Sequence, residues 1–244
     1  REMKGALSAI EKGYAHKNSY VIATEPSGLT VMPAHKGPNW YEIVAHGKAS
    51  HAGNPSVGVD AIHAMSEILI SLKKIVSELP YDDALVGKPT VTVGKISGGV
   101  KTNVVPAECR AEIDLRLVVP MTLEEGKQII EKAIEEGTKK VKGSSATFKM
   151  LTIERPPVNA SKDSPLVLAA ANSVKKVTGK DAVYSGLPAY TDASIIAART
   201  GSEHCISFGP GNLAQAHTID EYVPVEHLDL AVDMLTEVAL ELLV

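Results

Sequence analysis

The sequence predicts an α/β fold interrupted by an inserted α+β domain. Three observations predict it. Short apolar strands alternate with helical segments in residues 1–37 and 155–244, the pattern of a sheet with parallel strands. Between 38 and 154 the order becomes β-α-β-β-α-β, the split βαβ arrangement of an independent sheet with two helices. The two flanking parts share one style, so they read as parts of a single α/β domain with the 38–154 unit set into it.

Each element has its own signal. Residues 6–13 read as the last turns of a helix closed by Gly13. Residues 20–24 form a short strand that runs into Glu25-Pro26-Ser27-Gly28, where Pro and Gly end it; a second strand covers 29–34. Residues 40–47 read as a strand. Val59, Ile62, Met65, Leu69, Leu72, Val76 and Leu79, spaced by three and four, predict an amphipathic helix over 57–79. Strand 89–96 turns at Gly98-Gly99 into strand 103–118, with Ala111, Ile113, Leu115 and Leu117 on one face. Thr122 and Glu125 make a capping box that opens a helix to about 141, and 146–153 is the last strand of the insert. Beyond it, Ser164-Pro165 starts a helix that Gly179 ends. Strands at 182–185 and 204–208 flank a helix from Asp192 to Thr200, stopped by Gly201. Residues 225–243 form a final amphipathic helix.

Composition narrows the function classes. At 44% apolar and 22% charged, the 244 residues are ordinary globular sequence, which excludes wholesale disorder. Lys plus Arg is 25 against 29 for Asp plus Glu, and the net charge of −4 gives no footprint for nucleic acid. The longest apolar run falls far short of a membrane span of roughly 20 residues. Two cysteines, Cys109 and Cys205, make no disulfide framework, so a reducing, cytoplasmic setting is the simpler expectation.

Three residues stand out as carriers of chemistry. His217 lies in the glycine-rich loop after strand 204–208, and ligands in open α/β sheets bind beyond the carboxyl ends of strands. It reads as a metal ligand or acid–base group, or as a solvated histidine held by Glu221. Glu25 also follows a strand; it reads as a metal-ligating carboxylate or an ordinary turn residue. His51, in Gly47-Lys48-Ala49-Ser50-His51-Ala52-Gly53-Asn54-Pro55, reads as a hydrogen-bond donor offered from a mobile domain, or as a polar loop residue.

Four stretches in order carry a resemblance. They are Gly47 to Ile62 with His51, Pro55 and Gly58; Gly98-Gly99 to Asn103-Val104-Val105-Pro106 with Asp114-Leu115-Arg116; Tyr190-Thr191-Asp192-Ala193; and Gly209-Pro210-Gly211 through His217-Thr218 to Glu221-Tyr222-Val223. Together they resemble the dinuclear zinc amidohydrolases, the family of acetylornithine deacetylase, succinyl-diaminopimelate desuccinylase, aminoacylase and carboxypeptidase G. The resemblance implies a zinc-peptidase-like catalytic domain, here in part, with a ferredoxin-like lid and dimerisation domain. It implies that Glu25 ligates one zinc and His217 the other, with Co2+ or Mn2+ as possible substitutes. His51 would polarise the scissile carbonyl, delivered in dimeric members from the partner subunit. Asn103 and Arg116 would hold the substrate carboxylate, with Arg155 a weaker candidate, and Asp192 a structural residue beside the ligands. Paired zinc ions polarise an amide carbonyl and make hydroxide available near neutral pH.

The implied reaction is hydrolysis of an amide bond in an N-acyl amino acid, with a metal-bridged water as nucleophile. A di- or tripeptidase or carboxypeptidase of the same family is the alternative, and a non-catalytic dimerisation or ligand-binding module is another. The implied partner is a second copy bound through the lid. One departure is large. The family's H-x-D motif and adjacent Glu-Glu pair both precede the helix that opens this chain, and by register the pair falls just before Arg1. About a hundred residues of the catalytic domain are therefore expected outside the 244. His227-Leu228-Asp229 spells H-x-D but belongs to the C-terminal helix, and Glu124-Glu125 and Glu135-Glu136 belong to a helix start and a solvated helical face.

Overall fold

The computed structural model describes residues 3–244. In chain order the elements are α1 (Lys4–Glu11), β1 (Val21–Ala23), β2 (Val31–His35), β3 (Gly37–His46), β4 (Ser50–His51), α2 (Ala61–Ser77), β5 (Thr90–Gly98), β6 (Val104–Val105), β7 (Glu108–Leu117), α3 (Leu123–Lys140), β8 (Ser145–Met150), β9 (Val158–Asn159), α4 (Pro165–Thr178), β10 (Tyr184–Leu187), α5 (Asp192–Thr200), β11 (Cys205–Ser207) and α6 (Val225–Leu243). They form two units. One holds residues 1–37, 83–87 and 157–244, the other 38–82 and 88–156.

The first unit is built on a five-stranded sheet of order β1-β11-β2-β10, with β9 also on β2. It is mixed, not parallel throughout. β1 runs parallel to β11 and β10 parallel to β2, but β2 is antiparallel to both β11 and β9. Local patterns fix each strand, whereas direction depends on how the chain returns to the sheet, which alternation alone does not encode. The core gathers Val31, Leu166, Val167, Ile206, Phe208 and Met234, drawn from both helices α4 and α6 and from the strands. The helix stops are those the residues dictate. Gly179 and Gly201 both take the left-handed conformation that ends α4 and α5.

The second unit is a four-stranded sheet of order β5-β7-β3-β8, with α2 and α3 packed together. Cys109, Ala111, Ile113, Leu115 and Leu117 alternate inward along β7, the period-2 pattern of a half-buried strand. Predicted strand 103–118 is broken at Pro106, which lacks the N–H a ladder needs. Its first part, β6, pairs instead with β4. Helix α2 begins at Ala61 rather than 57, because Asp60 caps it by accepting from the Ile62 and His63 amides. Its buried stripe is Ala61, Ala64, Met65, Ile68, Leu72 and Val76; Ile62 lies outside it, exposed. The Thr122–Glu125 capping box on α3 forms in both directions. Where the two connections leave this unit, Asn39 is fully buried. Its Nδ2 donates to the Arg155 carbonyl at 3.0 Å and its Oδ1 accepts from the Arg155 amide at 3.1 Å. Among the described residues, no helix is long and apolar enough to cross a membrane.

Candidate metal and substrate positions

In the first unit, the ends of β1 and β11 are sewn together by the backbone. Ala23 registers with Ser207, and the Phe208 amide donates to the Ala23 carbonyl. One residue on, Ser27 Oγ donates to the Gly209 carbonyl and accepts from its amide, while the Leu29 amide donates to that carbonyl too. A Cβ on Gly209 would lie 2.7 Å from the Glu25 carbonyl oxygen, so only glycine lets this loop pass so close to Glu25. The loop is held from the other side as well. The Gly211 amide donates to His227 Nδ1 at 3.3 Å. His227, which opens the H-x-D of the C-terminal helix, is thus a support of the glycine loop.

The consequence is that two further candidate groups act electrostatically on Glu25. Glu25 is half-buried, and burial pushes its carboxyl above the ordinary range. The Asp192 carboxylate nearby pushes in the same direction, and His217 pulls against both. The structure therefore places Glu25 within electrostatic reach of both His217 and Asp192. Asp192 is the first residue of α5, so the cap that Thr191 provides also positions its carboxylate. His217 is exposed and takes a left-handed backbone (φ 65°), uncommon for a residue with a Cβ. Its amide donates to Glu221 Oε2 at 3.0 Å, so the Glu221 contact expected from sequence is to the backbone.

An imidazole and a carboxylate suit zinc or a similar divalent ion, and a half-buried carboxyl pushed up by burial, with Asp192 adding to it, gains from a cation. Glu25 and His217 fit as parts of a metal site. Among the described residues no group of three His, Cys, Asp or Glu side chains is arranged to hold a metal ion.

In the second unit the structure brings His51 and Asn103 together. Ser50 and His51 register with Val105 and Val104, and the Ala52 amide donates to the Asn103 carbonyl at 3.0 Å. The turn is compact because Gly47 and Gly58 admit neighbouring backbone: a Cβ on Gly47 would meet the Val59 carbonyl, and one on Gly58 the Ser50 hydroxyl. The Gly53 amide donates to His51 Nδ1 at 3.0 Å. In the neutral ring the proton therefore sits on Nε2, and His51 is a donor through that atom. Beside this pair is a cleft of ≈ 570 Å³ lined by Ala52, Asp60, Gly99, Lys101 and Thr102.

Both arginines have partners of their own. Arg116 makes a fork to Asp114, with Nη2 to Oδ2 at 2.8 Å and Nε to Oδ1 at 3.2 Å. About 24 Å of strand separate Cys109, opposite Gly98, from Arg116 at roughly 3.4 Å per residue. Arg155 is buried, with its guanidinium 5.7 Å from the Trp40 ring centroid. Sequence reasoning missed His35, which is 1% exposed and whose Nε2 lies 2.9 Å from Ser207 Oγ. A lone histidine on an apolar strand carries no periodic signal that would have found it.

Comparison with known proteins adds the following. Residues 33–142 match the M20 peptidase dimerisation domain. The chain is 29% identical over 218 residues to a probable carboxypeptidase of Talaromyces marneffei, covering 87% of this chain and 46% of that protein. It is 27% identical over 269 residues to a probable succinyl-diaminopimelate desuccinylase of Staphylococcus aureus, covering 100% of this chain and 65% of that protein. The fold is similar to that of aminopeptidase PepT from Bacillus cereus, with a TM-score of 0.79 at 20% identity, over 98% of this chain and 61% of that one. The chain thus spans about half to two thirds of the length of these relatives.

Proposed function

We propose that this chain, which carries an M20 peptidase dimerisation domain, is part of a zinc-dependent amidohydrolase that cleaves the amide bond of an N-acyl amino acid. The observation that carries the proposal is that the loops leaving the paired ends of β1 and β11 bring His217, with Asp192, within electrostatic reach of Glu25. Glu25 and His217 would each hold a divalent metal, for which zinc is the best match to one carboxylate and one imidazole. Such a metal, when bound, polarises the amide carbonyl and makes hydroxide available near neutral pH. The chain's own residues do the rest. His51 offers its Nε2–H to the carbonyl oxygen, where negative charge develops. Asn103, beside it, orients the substrate's carboxylate through its amide. Arg116 and Arg155 are the guanidiniums proposed for the same carboxylate, and a guanidinium suits one bidentately. Arg116 already shows that geometry toward Asp114, so it would exchange one carboxylate for another. Residues 38–154 would join two copies as a homodimer.

The test is His217→Ala in the full-length protein, assayed on N-acetyl and N-succinyl amino acids. Turnover is expected to fall nearly to background; near-normal turnover overturns the assignment. The names of the carboxypeptidase and aminopeptidase relatives favour a second reading, a peptidase of the same chemistry. Di- and tripeptides and C-terminally blocked peptides in the same panel separate the two. A full-length gene without an H-x-D motif and a Glu-Glu pair upstream of Arg1 would favour the non-catalytic reading instead.

A further inference from the structure

His35 is a polar group that the fold buries at a penalty. It is 1% exposed, and its Nδ1 has no hydrogen-bond partner among the described residues. An unsatisfied buried polar atom destabilises a fold, and an apolar side chain of similar size would avoid that. Such penalties concentrate where a structure needs a particular geometry. The one bond the ring makes, Nε2 to Ser207 Oγ at 2.9 Å, points to what that geometry is.

Ser207 stands where the segments of the candidate metal site diverge. It registers with Ala23 on β1, two residues before Glu25. It is the last residue of β11, from which the glycine loop leads to His217. Its hydroxyl is also 3.5 Å from Thr191 Oγ1, at the outer limit of a hydrogen bond. Thr191 caps α5, whose first residue is Asp192. The donors can run in one direction, from His35 Nε2–H to Ser207 Oγ and from Ser207 to Thr191 Oγ1. The orphan is then a lone pair on Nδ1 and not an N–H, the less costly choice. Burial keeps the ring neutral near pH 7, as this donor order requires.

We propose that His35 is a positioning residue for the metal end of the site: through Ser207 it fixes the Thr191 cap and, with it, the placement of Asp192 relative to Glu25 and His217. The proposal rests on the metal-site reading given above. His35 touches neither metal nor substrate in this scheme; it acts through the segments that do.

The experiment uses the full-length protein and zinc alone as the probe, titrated against a chromophoric chelator. Ser207→Ala, His35→Leu, their double variant and His35→Gln are compared with the wild type, with urea unfolding measured in parallel. Ser207→Ala and His35→Leu are each expected to weaken zinc binding on the order of tenfold. The double variant should be no weaker than the worse single, since both remove one linkage. His35→Gln, which keeps a donor, should recover most of the affinity. In histidine 15N spectra of the wild type, His35 should show a neutral ring protonated at Nε2. Folded variants that bind zinc as the wild type does overturn the proposal, and if His35→Leu does not fold, Ser207→Ala decides alone. A wild-type protein that takes up no zinc overturns the metal-site reading itself, and the positioning role falls with it.

Discussion

Gly137 sets two familiar effects against each other, and the structure says which wins. It lies in the interior of α3, where alanine is favoured over glycine by about 1 kcal/mol. Propensity alone therefore makes Gly137→Ala stabilising. But a Cβ there would fall 2.5 Å from the Ile68 amide nitrogen and 2.6 Å from its Cα. Those are backbone atoms of α2 and cannot rotate aside. Restoring an ordinary contact moves the helices apart by about 0.9 Å, and a gap of that size forfeits roughly a quarter to a half of each dispersion contact along the seam. Overpacking of this kind costs about 1–3 kcal/mol. With helix propensity subtracted, the variant should be less stable by up to about 2 kcal/mol. The chain has a single tryptophan, and Trp40 lies in the same unit, so its fluorescence in a urea titration reports that unit. Gly126→Ala is the control. Its Cβ would approach the Leu117 methyls at 3.2 and 3.4 Å, which can shift, so it should be neutral or slightly stabilising. If Gly137→Ala unfolds at the same urea concentration as the wild type or higher, the argument from backbone contact is wrong.

Other outcomes follow from features already described. His35 is pushed down by burial to about 4 from 6.5. Between those values the unfolded chain binds the proton and the folded one does not, so this contribution to stability is complete above pH 6.5 and fades as pH falls toward 4. The difference of 2.5 units amounts to about 3 kcal/mol; unfolding free energies measured from pH 7 to 4 should lose it in the wild type and less of it in His35→Gln. Asn39→Ala removes two hydrogen bonds that satisfy the buried Arg155 backbone and should cost about 2–4 kcal/mol by calorimetry. His51→Ala, which removes the donor, should lower kcat of the full-length protein on N-acyl amino acids by at least tenfold with little change in KM, if that donor acts only on the developing charge; an effect on KM alone would point to simple substrate binding.

How far the residues revealed all this varied with the kind of signal. α3, α5 and α6 start where their caps or first residues put them, because a cap is a local device. Pro106 broke a strand that looked continuous, since alternation continues past a residue that cannot pair. The two-residue strands β4 and β9 are too short for any period to show. Glu25 and His217 stand out as candidates in the sequence because both follow short apolar strands. That Asp192 acts on Glu25 is not legible there, because it depends on the register of β11 against β1 and on where α5 starts. The resemblance implies two guanidiniums at a substrate carboxylate; Arg116 forks to Asp114, two residues back on its own strand, a pairing that local alternation allows, whereas the approach of Arg155 to Trp40 comes from tertiary packing.

The short stretch Asp83–Gly87 has a practical meaning for anyone cutting the gene. It belongs with the first unit although the residues on either side belong with the second. Asp83 caps its own turn through the Leu85 and Val86 amides and receives a hydrogen bond from Asn159. Leu85 and Val86 press against Gly186, where a side chain would strike both the Val86 methyl and the Leu85 carbonyl. Excising 38–156 as a continuous cassette would pull this plug from β10 and leave Val86 greasy and uncovered on the excised piece. Grafting a neutral Gly/Ser turn in place of 83–87 would take that uncovered valine off the cassette, and the remaining body would need Gly186 replaced by a larger residue to refill the gap.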